Sequence, residues 1–555
     1  MSTACFHVLL ALFFLVSLPS VSMSGQEQAH LPYSIMPSFA TNPFFPGQDG
    51  GDFGTGLALA DINGDGYKDM VVSSGNDKAL QHVTVYLNRK DGTFPQNPDW
   101  ISGDTDHHGT LAVGDINGDG FNDVAVSVFL GKGLEYEKGG IKVYYNQGGT
   151  LNSVPSFADT GYPSFGCALG DIDGDGDLDL AVACGEPIPE VESFATQQCG
   201  TSATTTKKKT QSRADIQEPP FKTQNRIYLN NGGGYSVQPG NVWVTTESFV
   251  SMAVTFGDVN ADGLMDVLFD SAPLRLYLGK LGTTPDPMPG WTSEDENYYG
   301  NGIDFAPSIH LALPTKPDTV ATIAASSNSY MGKGRGGFSI YRFLDPFVIQ
   351  YKPRTSWPIW SSKYGGWGSA IRMADLNQDG NLDLVTHRWN PPGRNELAGT
   401  LLVYLGNGST YPDTWDWSSS EQFTSIIEAI DLADLDRKRV VSGSYETIVD
   451  KTKWGEGQDG QSVFYVGPQI IEEIMTVMRW NETSGWVQLQ AGKDYTYVPG
   501  RSWVSFATPL REANKVHITF TVSPELDIVY TNWNCDVGNF VFNYQPSMTK
   551  KKQSK

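Results

Sequence analysis

The stretch DINGDGYKD, residues 61–69, is followed along the chain by four segments of the same pattern. They are DINGDGFND at 115–123, DIDGDGDLD at 171–179, DVNADGLMD at 258–266 and DLNQDGNLD at 375–383. Small and apolar residues precede each copy, and a β-rich apolar run such as MVVSS (70–74) follows it. A further apolar run ends in an aromatic residue and a glycine turn, as in VTVYLNRKDG (83–92). The repeat therefore predicts units of strand, acidic loop, strand, strand and turn.

Two further units are degenerate. The stretch IHLALPTKPDTVATIAASS (309–327) keeps the flanking strands and Asp318, but its shortened loop PTKP cannot chelate a metal. The last unit begins at ADLD (433–436) and is interrupted, and its second half reappears at LDIVYTNWN (526–534) and GNFVFNYQ (538–545). Seven units of four short strands predict an all-β fold, a closed seven-bladed β-propeller with a small β-sandwich inserted in the last blade.

The predicted domain organisation follows from these repeats and their interruptions. It comprises a signal peptide (1–25), a propeller (26–436 and 525–546) with a low-complexity loop (185–225), an inserted β-sandwich (437–524) and a basic disordered tail (547–555). The apolar run at 8–19 indicates a secretory signal because it is too short to span a bilayer. The segment 31–47 has no blade of its own, so we expect it to supply the outer strand of the last blade.

The composition is acidic, with 39 Lys+Arg against 62 Asp+Glu and a formal net charge of −23. This excess of negative charge argues against binding to nucleic acid and against unaided binding to anionic membranes. Together with the signal, it indicates a secreted protein, extracellular or at the cell surface, with no transmembrane segment in the mature chain. Two disulfides, with three possible connectivities, could form among Cys167, Cys184, Cys199 and Cys535. Glycosylation sequons occur at Asn407 and Asn481.

The acidic loop has the chemistry of a calcium site. Calcium takes six to eight oxygen ligands, and positions 1, 3, 5 and 9 of the loop supply carboxylate or amide oxygens. Position 6 is a glycine that permits a sharp turn, and position 7 would offer its backbone carbonyl. An EF-hand would need Glu at position 12 and flanking helices, which are lacking here. Asp, Asn and Gly clusters also form ordinary turns, but five copies in register favour chelation.

The predicted ligands fall into about five calcium sites. They are Asp61, Asn63, Asp65, Tyr67 and Asp69; Asp115, Asn117, Asp119, Phe121 and Asp123; Asp171, Asp173, Asp175, Asp177 and Asp179; Asp258, Asn260, Asp262, Leu264 and Asp266; and Asp375, Asn377, Asp379, Asn381 and Asp383.

With these motifs, the chain resembles the FG-GAP, or integrin α-subunit, propeller family, also described as VCBS-like repeats. The resemblance covers residues 30–436 and 525–546. The Phe-Gly pair of the family appears as Phe53-Gly54 and Phe165-Gly166, but elsewhere as His108-Gly109 or Trp367-Gly368. The resemblance implies a seven-bladed propeller with calcium in the blade hairpins, and it implies no single activity.

Aromatic and histidine residues offer alternative functional sites. Trp100, Trp291, Trp360 and Trp415 recur at one register of the repeat, which favours packing between blades over ligand stacking. One cluster has more aromatic residues than the one per repeat unit that packing explains. It contains the best candidates for stacking on a sugar, Trp357, Trp360, Tyr364 and Trp367. The pair His107-His108 follows Asp104 and Asp106, and we expect it to form a solvated turn rather than a metal or acid–base cluster.

The predicted function is an extracellular binding or adhesion scaffold for protein or glycan ligands, with structural calcium. The sequence contains no G-x-S-x-G, H-E-x-x-H or other nucleophile signature, which argues against an enzyme. The alternatives are a lectin and an extracellular carbohydrate-active enzyme such as a polysaccharide lyase or hydrolase. Convergence of His107, His108 and the excess tryptophans in one cleft would favour these alternatives, and scatter would favour the scaffold.

Overall fold

Each complete acidic loop connects the first two strands of a four-stranded antiparallel sheet. The computed structural model describes residues 38–40, 52–135, 138–185, 223–294, 299–307, 321–327, 337–343, 358–363, 368–388, 399–419, 426–451, 454, 458–467, 469–533 and 539–544. Within these ranges, the strands form eight four-stranded sheets and one three-stranded sheet. The β-branched runs that follow the loops, such as DMVVSS (69–74), form the buried second strands.

Sheets 1 to 4 take their strands in chain order. Sheet 1 contains β2 (Gly54–Ala60), β3 (Asp69–Ser74), β4 (Val83–Tyr86) and β5 (Trp100–Ile101). Sheet 2 contains β6 (His107–Gly114), β7 (Asp123–Leu130), β8 (Gly140–Tyr144) and β9 (Phe157–Thr160). Sheet 3 contains β10 (Gly166–Gly170), β11 (Asp179–Ala183), β12 (Arg226–Tyr228) and β13 (Val242–Val244). Sheet 4 contains β14 (Ser251–Gly257), β15 (Asp266–Ser271), β16 (Arg275–Tyr277) and β17 (Trp291–Thr292).

Sheets 5 and 6 follow the same plan, and sheet 7 departs from it. Sheet 5 contains β18 (Tyr299–Pro307), β19 (Ala321–Ser327), β20 (Gly337–Phe343) and β21 (Trp360–Ser361). Sheet 6 contains β22 (Ile371–Ala374), β23 (Asp383–Arg388), β24 (Thr400–Tyr404) and β25 (Trp417–Ser418). Sheet 7 contains β26 (Ile427–Ala433), β34 (Asp527–Asn532), β35 (Asn539–Phe542) and β1 (Ser38–Ala40).

Sheet 7 is assembled from three distant parts of the chain. Strand β26 pairs with β34, with Ala433 opposite Asp527, although about 90 residues separate them in sequence. Strand β1 from the N-terminal region pairs with β35, with Ser38 opposite Val541. Both pairings are the ones that the sequence predicts for the interrupted last unit and for the segment 31–47.

The first strands of the seven sheets surround one cavity. They contact one another in the cyclic order β2, β6, β10, β14, β18, β22, β26 and back to β2. The cavity has a volume of about 170 Å³ and is lined by these strands together with residues 469–470 and 498–503. A nearly all-β chain of four-stranded antiparallel sheets arranged in this way fits a β-propeller.

The residues between β26 and β34, called the insert (437–524), form two further sheets. One contains β27 (Val441–Ile448), β33 (Lys515–Val522), β29 (Ile471–Asn481) and β30 (Gly485–Gln488), and the other contains β28 (Gln461–Tyr465), β32 (Trp503–Leu510) and β31 (Tyr495–Thr496). Side chains from both sheets share one hydrophobic cluster, in which Phe464 and Phe506 meet with ring centroids 5.2 Å apart. Tyr465 and Trp503 instead join the core of sheets 2 to 5.

Large aromatic residues connect neighbouring sheets. The outermost strands carry Trp100, Trp291 and Trp360, which pack edge-on against Tyr144, Tyr341 and Tyr404 of the next sheet, with ring centroids 5.8, 6.1 and 5.3 Å apart. The packing role predicted for these three tryptophans is confirmed. Edge-to-face pairs of this kind add to the stabilisation from buried area.

Trp415 is half-buried and packs against the hydrophobic cluster that sheets 5 and 6 share, but it does not stand at the register of the other three tryptophans. Trp417 in β25 is the residue that packs against Phe542 of sheet 7, with centroids 5.9 Å apart. Trp415 lies under the guanidinium of Arg388, 4.7 Å from its ring centroid. The stacking candidates Trp357, Tyr364 and Trp367 lie outside the described residues.

The cysteine prediction needs correction for two residues. Cys167 and Cys184 are both buried and free, so neither forms a disulfide. Burial raises the pKa of each thiol to about 12, which makes both unreactive near neutral pH. Cys199 and Cys535 lie outside the described residues.

Candidate metal sites

The first aspartate of each acidic loop organises the turn. In loop 1 (61–69), the N–H groups of Gly64 and Asp65 donate to Asp61 Oδ1 at 2.7 and 3.1 Å. The N–H of Gly66 donates to Asp61 Oδ2 at 2.7 Å, and Gly66 has a φ of +88°, which favours glycine. The bond from position 6 to position 1 recurs in loop 2 (115–123), loop 3 (171–179), loop 4 (258–266) and loop 6 (375–383), at 2.9 to 3.0 Å.

Positions 3, 5 and 7 meet within each loop. The amide of Asn63 donates to Asp65 Oδ2 at 3.2 Å, and the N–H of Tyr67 donates to Asp65 Oδ1 at 3.0 Å. The equivalent bond from position 7 to position 5 is made by Phe121 to Asp119, Asp177 to Asp175, Leu264 to Asp262 and Asn381 to Asp379. The amides of Asn117, Asn260 and Asn377 donate to the position 5 carboxylate, as Asn63 does. The carbonyl role of position 7 stays a prediction.

The closing aspartate binds the loop to the rest of its sheet. Asp69 Oδ2 accepts the N–H of Ile62 at 2.9 Å, and Oδ1 accepts the N–H of Asn88 at 2.9 Å. The same two bonds are made at Asp123, Asp179, Asp266 and Asp383. Position 9 is therefore a structural acceptor as well as a predicted ligand.

Sequence reasoning missed an asparagine that joins consecutive loops. The amide of Asn88 donates to Leu435 O at 2.8 Å, that of Asn146 to Ile62 O at 2.8 Å, and that of Asn230 to Ile116 O at 2.6 Å. Each of these carbonyls belongs to the loop of the preceding sheet. The signal was available, because an asparagine follows the tyrosine of the third strand in YLN (86–88), YYN (144–146) and YLN (228–230).

The closing aspartate of each complete loop is a buried carboxyl group. Burial raises the pKa of Asp69 to about 6, that of Asp123 to about 7 and that of Asp383 to about 8. Desolvation disfavours the charged form of a carboxyl group, and a nearby cation reverses that effect. The loops therefore have the electrostatic character of cation sites.

Loop 3 carries the densest set of acceptors. Ligand oxygens of Asp171, Asp173 and Asp179 all lie within 4.8 Å of one another. Asp173 Oδ1 and Asp177 Oδ1 are buried and accept no hydrogen bond. Five aspartates, two of which have a buried oxygen without a hydrogen bond, fit a divalent cation that takes oxygen ligands. Such a cation would be held by Asp171, Asp173, Asp175 and Asp179.

The seventh loop keeps the frame but contains its own positive charge. Asp527 Oδ2 accepts the N–H of Leu435 at 2.9 Å, as the closing aspartates of the other loops do. Lys438 occupies the place of the position 5 aspartate, and its ammonium lies 2.5 Å from Asp436 Oδ2. The shortened loop PTKP of the fifth unit lies outside the described residues.

The expected solvated turn at His107-His108 is wrong. Both residues begin β6 and are buried, with His107 Nδ1 2.7 Å from Asn76 O and His108 Nδ1 2.9 Å from Ser74 O. Burial lowers the pKa of His108 to about 4, so its ring is neutral near neutral pH. The preceding Asp104 and Asp106 both pair with Lys142, whose Nζ lies 2.5 Å from Asp104 Oδ2.

The part of the chain that the structure describes contains no helix with the length and apolar character needed to cross a membrane.

Comparison with known proteins finds relatives of the acidic repeats. The FG-GAP-like repeat family model matches residues 61–126, 128–182 and 220–269. Integrin alpha-3 of Mus musculus is 32% identical over 123 residues, which cover 20% of this chain and 11% of that protein. Integrin alpha-V of Gallus gallus is 34% identical over 151 residues, which cover 23% of this chain and 14% of that protein.

A solved structure of a protein from Lactobacillus plantarum aligns with a TM-score of 0.37 and 13% identity, covering 79% of this chain and 99% of that one. The matched stretches are a small part of the integrin chains. The residues matched by the family model contain the first four acidic loops of this chain. The chain therefore contains FG-GAP-like repeats and is similar to integrin α-subunits over a limited stretch.

Proposed function

We propose that this protein is a calcium-binding, seven-bladed β-propeller that serves as an extracellular or cell-surface scaffold for protein or glycan ligands. Calcium has a structural role in this proposal, with one ion in each of the five complete loops. The observation that carries it is loop 3, where three carboxylates converge and two buried oxygens have no hydrogen-bond donor. Calcium prefers such oxygen ligands, and an unpaired buried carboxylate is costly without a cation.

In this proposal the seven four-stranded sheets are the blades of a closed ring. Its support is the cyclic contact of their first strands and the pairing of β1 with β35, which brings the two ends of the propeller together in one sheet. The insert (437–524) is then a β-sandwich within the last blade, supported by two sheets that share one core. Its ends stay close because β26 and β34 are paired neighbours.

The scaffold role rests on the relationship to integrin α-subunits and on the distribution of the loops. The insert lies against the acidic loops, for example where Lys68 Nζ donates to Glu472 O at 2.9 Å. The connections at the opposite ends of the strands, such as 75–82 and 102–106, are then the surface for a ligand. The predicted signal peptide (1–25) agrees with an extracellular location.

The lectin and enzyme alternatives find less support. His107 and His108 are buried and held by backbone carbonyls, which removes them from contact with a substrate. Four of the five charged residues that line the cavity form two pairs, Asp304 with Arg501 at 2.6 Å and Arg372 with Asp431 at 3.2 Å. Groups committed to such pairs are poorly placed for proton transfer to a sugar.

The test is ligand binding with and without calcium. The full chain is applied to arrays of glycans and of extracellular protein domains in calcium and again in chelator. We expect binding to a protein or a glycan that disappears when the chelator melts the propeller. Hydrolysis or elimination of a polysaccharide by the protein would instead contradict the scaffold.

A further inference from the structure

The insert covers the acidic loops unequally. The position 6 glycines of loops 3 and 4, Gly176 and Gly263, are buried, whereas those of loops 2 and 6, Gly120 and Gly380, are exposed. A methyl group added at Gly176 would lie 2.3 Å from Ala507 Cα, but one added at Gly120 would meet no atom within 4 Å. The same loop frame therefore stands in two different environments.

In loop 3 the insert bonds directly to a predicted metal ligand. The hydroxyl of Ser505 in β32 donates to Asp171 Oδ2 at 2.6 Å, and both side chains have no exposed surface. The same oxygen accepts the N–H of Gly176. Ser505 thus fixes the orientation of the carboxylate from 334 residues away in sequence.

A second serine of the insert faces the same loop. Ser462 in β28 is fully buried, and its hydroxyl oxygen has no hydrogen-bond partner. It lies 3.1 Å from the position that a Cβ of Gly174 would occupy. Buried hydroxyl groups without partners are rare and call for a ligand or a water. With Asp173 Oδ1 and Asp177 Oδ1, this hydroxyl makes three unpartnered oxygen atoms in and beside loop 3.

Loop 4 is held by the backbone of the insert and by a tyrosine. Tyr465 Oη accepts the N–H of Asp258 at 3.0 Å, and its ring packs on Phe305 with centroids 5.8 Å apart. The carbonyl of Gly263 accepts the N–H groups of Ser462 and Val463, both at 3.0 Å. Strand β28 is therefore anchored on loops 3 and 4 together.

We propose that cation binding in loops 3 and 4 is coupled to docking of the insert, with Ser505 as a positioning residue that holds Asp171. This inference rests on the proposed calcium function and specifies its regulation. A cation that binds loops 3 and 4 only in the geometry they have under the insert raises the affinity of the insert for these loops. Docking of the insert raises the affinity for the cation by the same factor. Loops 2 and 6 are coupled more weakly, because their position 6 glycines stay exposed and the insert approaches them at position 4. There a Cβ on Gly118 would lie 2.8 Å from Gly492 O, and Gln378 Nε2 donates to Pro524 O at 3.0 Å.

Hydrogen–deuterium exchange of the full chain tests the coupling. We expect calcium to slow exchange in peptides covering β28 and β32, which contact loops 3 and 4, while β30 at the far edge of the insert stays unchanged. Ser505→Ala removes a hydrogen bond to a charged group, so the calcium concentration at half-protection should rise about tenfold. Ser444→Ala, on the exposed face of β27, is the matched control and should not change it.

The outcomes separate this inference from the proposed function. Two results would overturn the coupling alone. One is calcium binding that leaves exchange in β28 and β32 unchanged. The other is the same calcium concentration at half-protection in Ser505→Ala and Ser444→Ala. A chain that binds no calcium would overturn both. Tyr465→Phe keeps the ring packing and removes the hydroxyl, so it provides a second test through loop 4 if Ser505→Ala folds poorly.

Discussion

Loops 2 and 3 share a nine-residue frame and the hydrogen bonds that position 1 accepts from position 6 and position 9 accepts from position 2, yet they differ in what packs against them. In loop 2, Gly120 is exposed and Asp115 is half-buried, whereas the equivalent Gly176 and Asp171 of loop 3 are buried under the insert. The bond from position 6 to position 1 is 2.9 Å long in both. The difference shows that local sequence determines the geometry of a loop, while a distant segment determines how far its carboxylates are removed from water.

Removing calcium should give the largest effect, because it acts on both kinds of loop. A site with a dissociation constant of about 10⁻⁴ M contributes about 1.4 kcal/mol at about 1 mM calcium, and five such sites contribute about 7 kcal/mol. Thermal melts with and without chelator measure it, with magnesium as the control cation. An unchanged Tm would contradict the structural role of calcium.

Replacing the first aspartate should separate the two loops. Asp171→Asn turns an N–H₂ group towards buried donors and should cost about 3 kcal/mol, whereas Asp115→Asn, at the half-exposed equivalent, should cost about 1 kcal/mol. Urea unfolding in calcium gives the two values. Equal costs would show that the insert does not distinguish the loops.

A methyl group at position 6 probes the contact with the insert directly. Gly176 and Gly120 have φ values of +91° and +92°, so alanine introduces equal backbone strain of about 1 kcal/mol at both. Gly176→Ala also collides with Ala507, which should cost about 2 kcal/mol more. Amide exchange in β32 should rise for Gly176→Ala and not for Gly120→Ala. The reverse order would contradict the position of the insert.

The smallest effect is expected at the seventh loop, where a lysine stands in place of a ligand. The side chain of Lys438 is 74% exposed, so its pair with Asp436 contributes little. Lys438→Met should destabilise the protein by less than about 1 kcal/mol, by the same amount in calcium and in chelator. A calcium-dependent loss would show that this loop also takes part in cation binding.

The sequence predicts the repeat well because each loop contains its own hydrogen-bond partners. Asp61, Gly66 and Asp69 lie within nine residues, and their bonds follow from that spacing. The split last sheet was also predictable, since LDIVYTNWN (526–534) keeps the pattern of LDLVTHRWN (382–390). The register of Trp417 was predictable in principle, because Asp416-Trp417 repeats Asp99-Trp100 and both aspartates accept an N–H at 2.8 Å.

The contacts of the insert could not be predicted in this way. Ser505 and Asp171 are 334 residues apart in sequence, and their hydrogen bond forms because the insert packs against loop 3. The burial of His107 and His108 likewise depends on neighbouring carbonyls of sheet 1, which a loop-like sequence such as DTDHHGT (104–110) does not reveal.

In the proposed function, calcium occupies the complete acidic loops. Native mass spectrometry of the full chain counts the bound ions directly. We expect about five calcium ions per chain, and the loss of one ion in Asp171→Asn and of one in Asp115→Asn. A chain that carries no calcium at millimolar concentration, or a count that neither substitution changes, would contradict it.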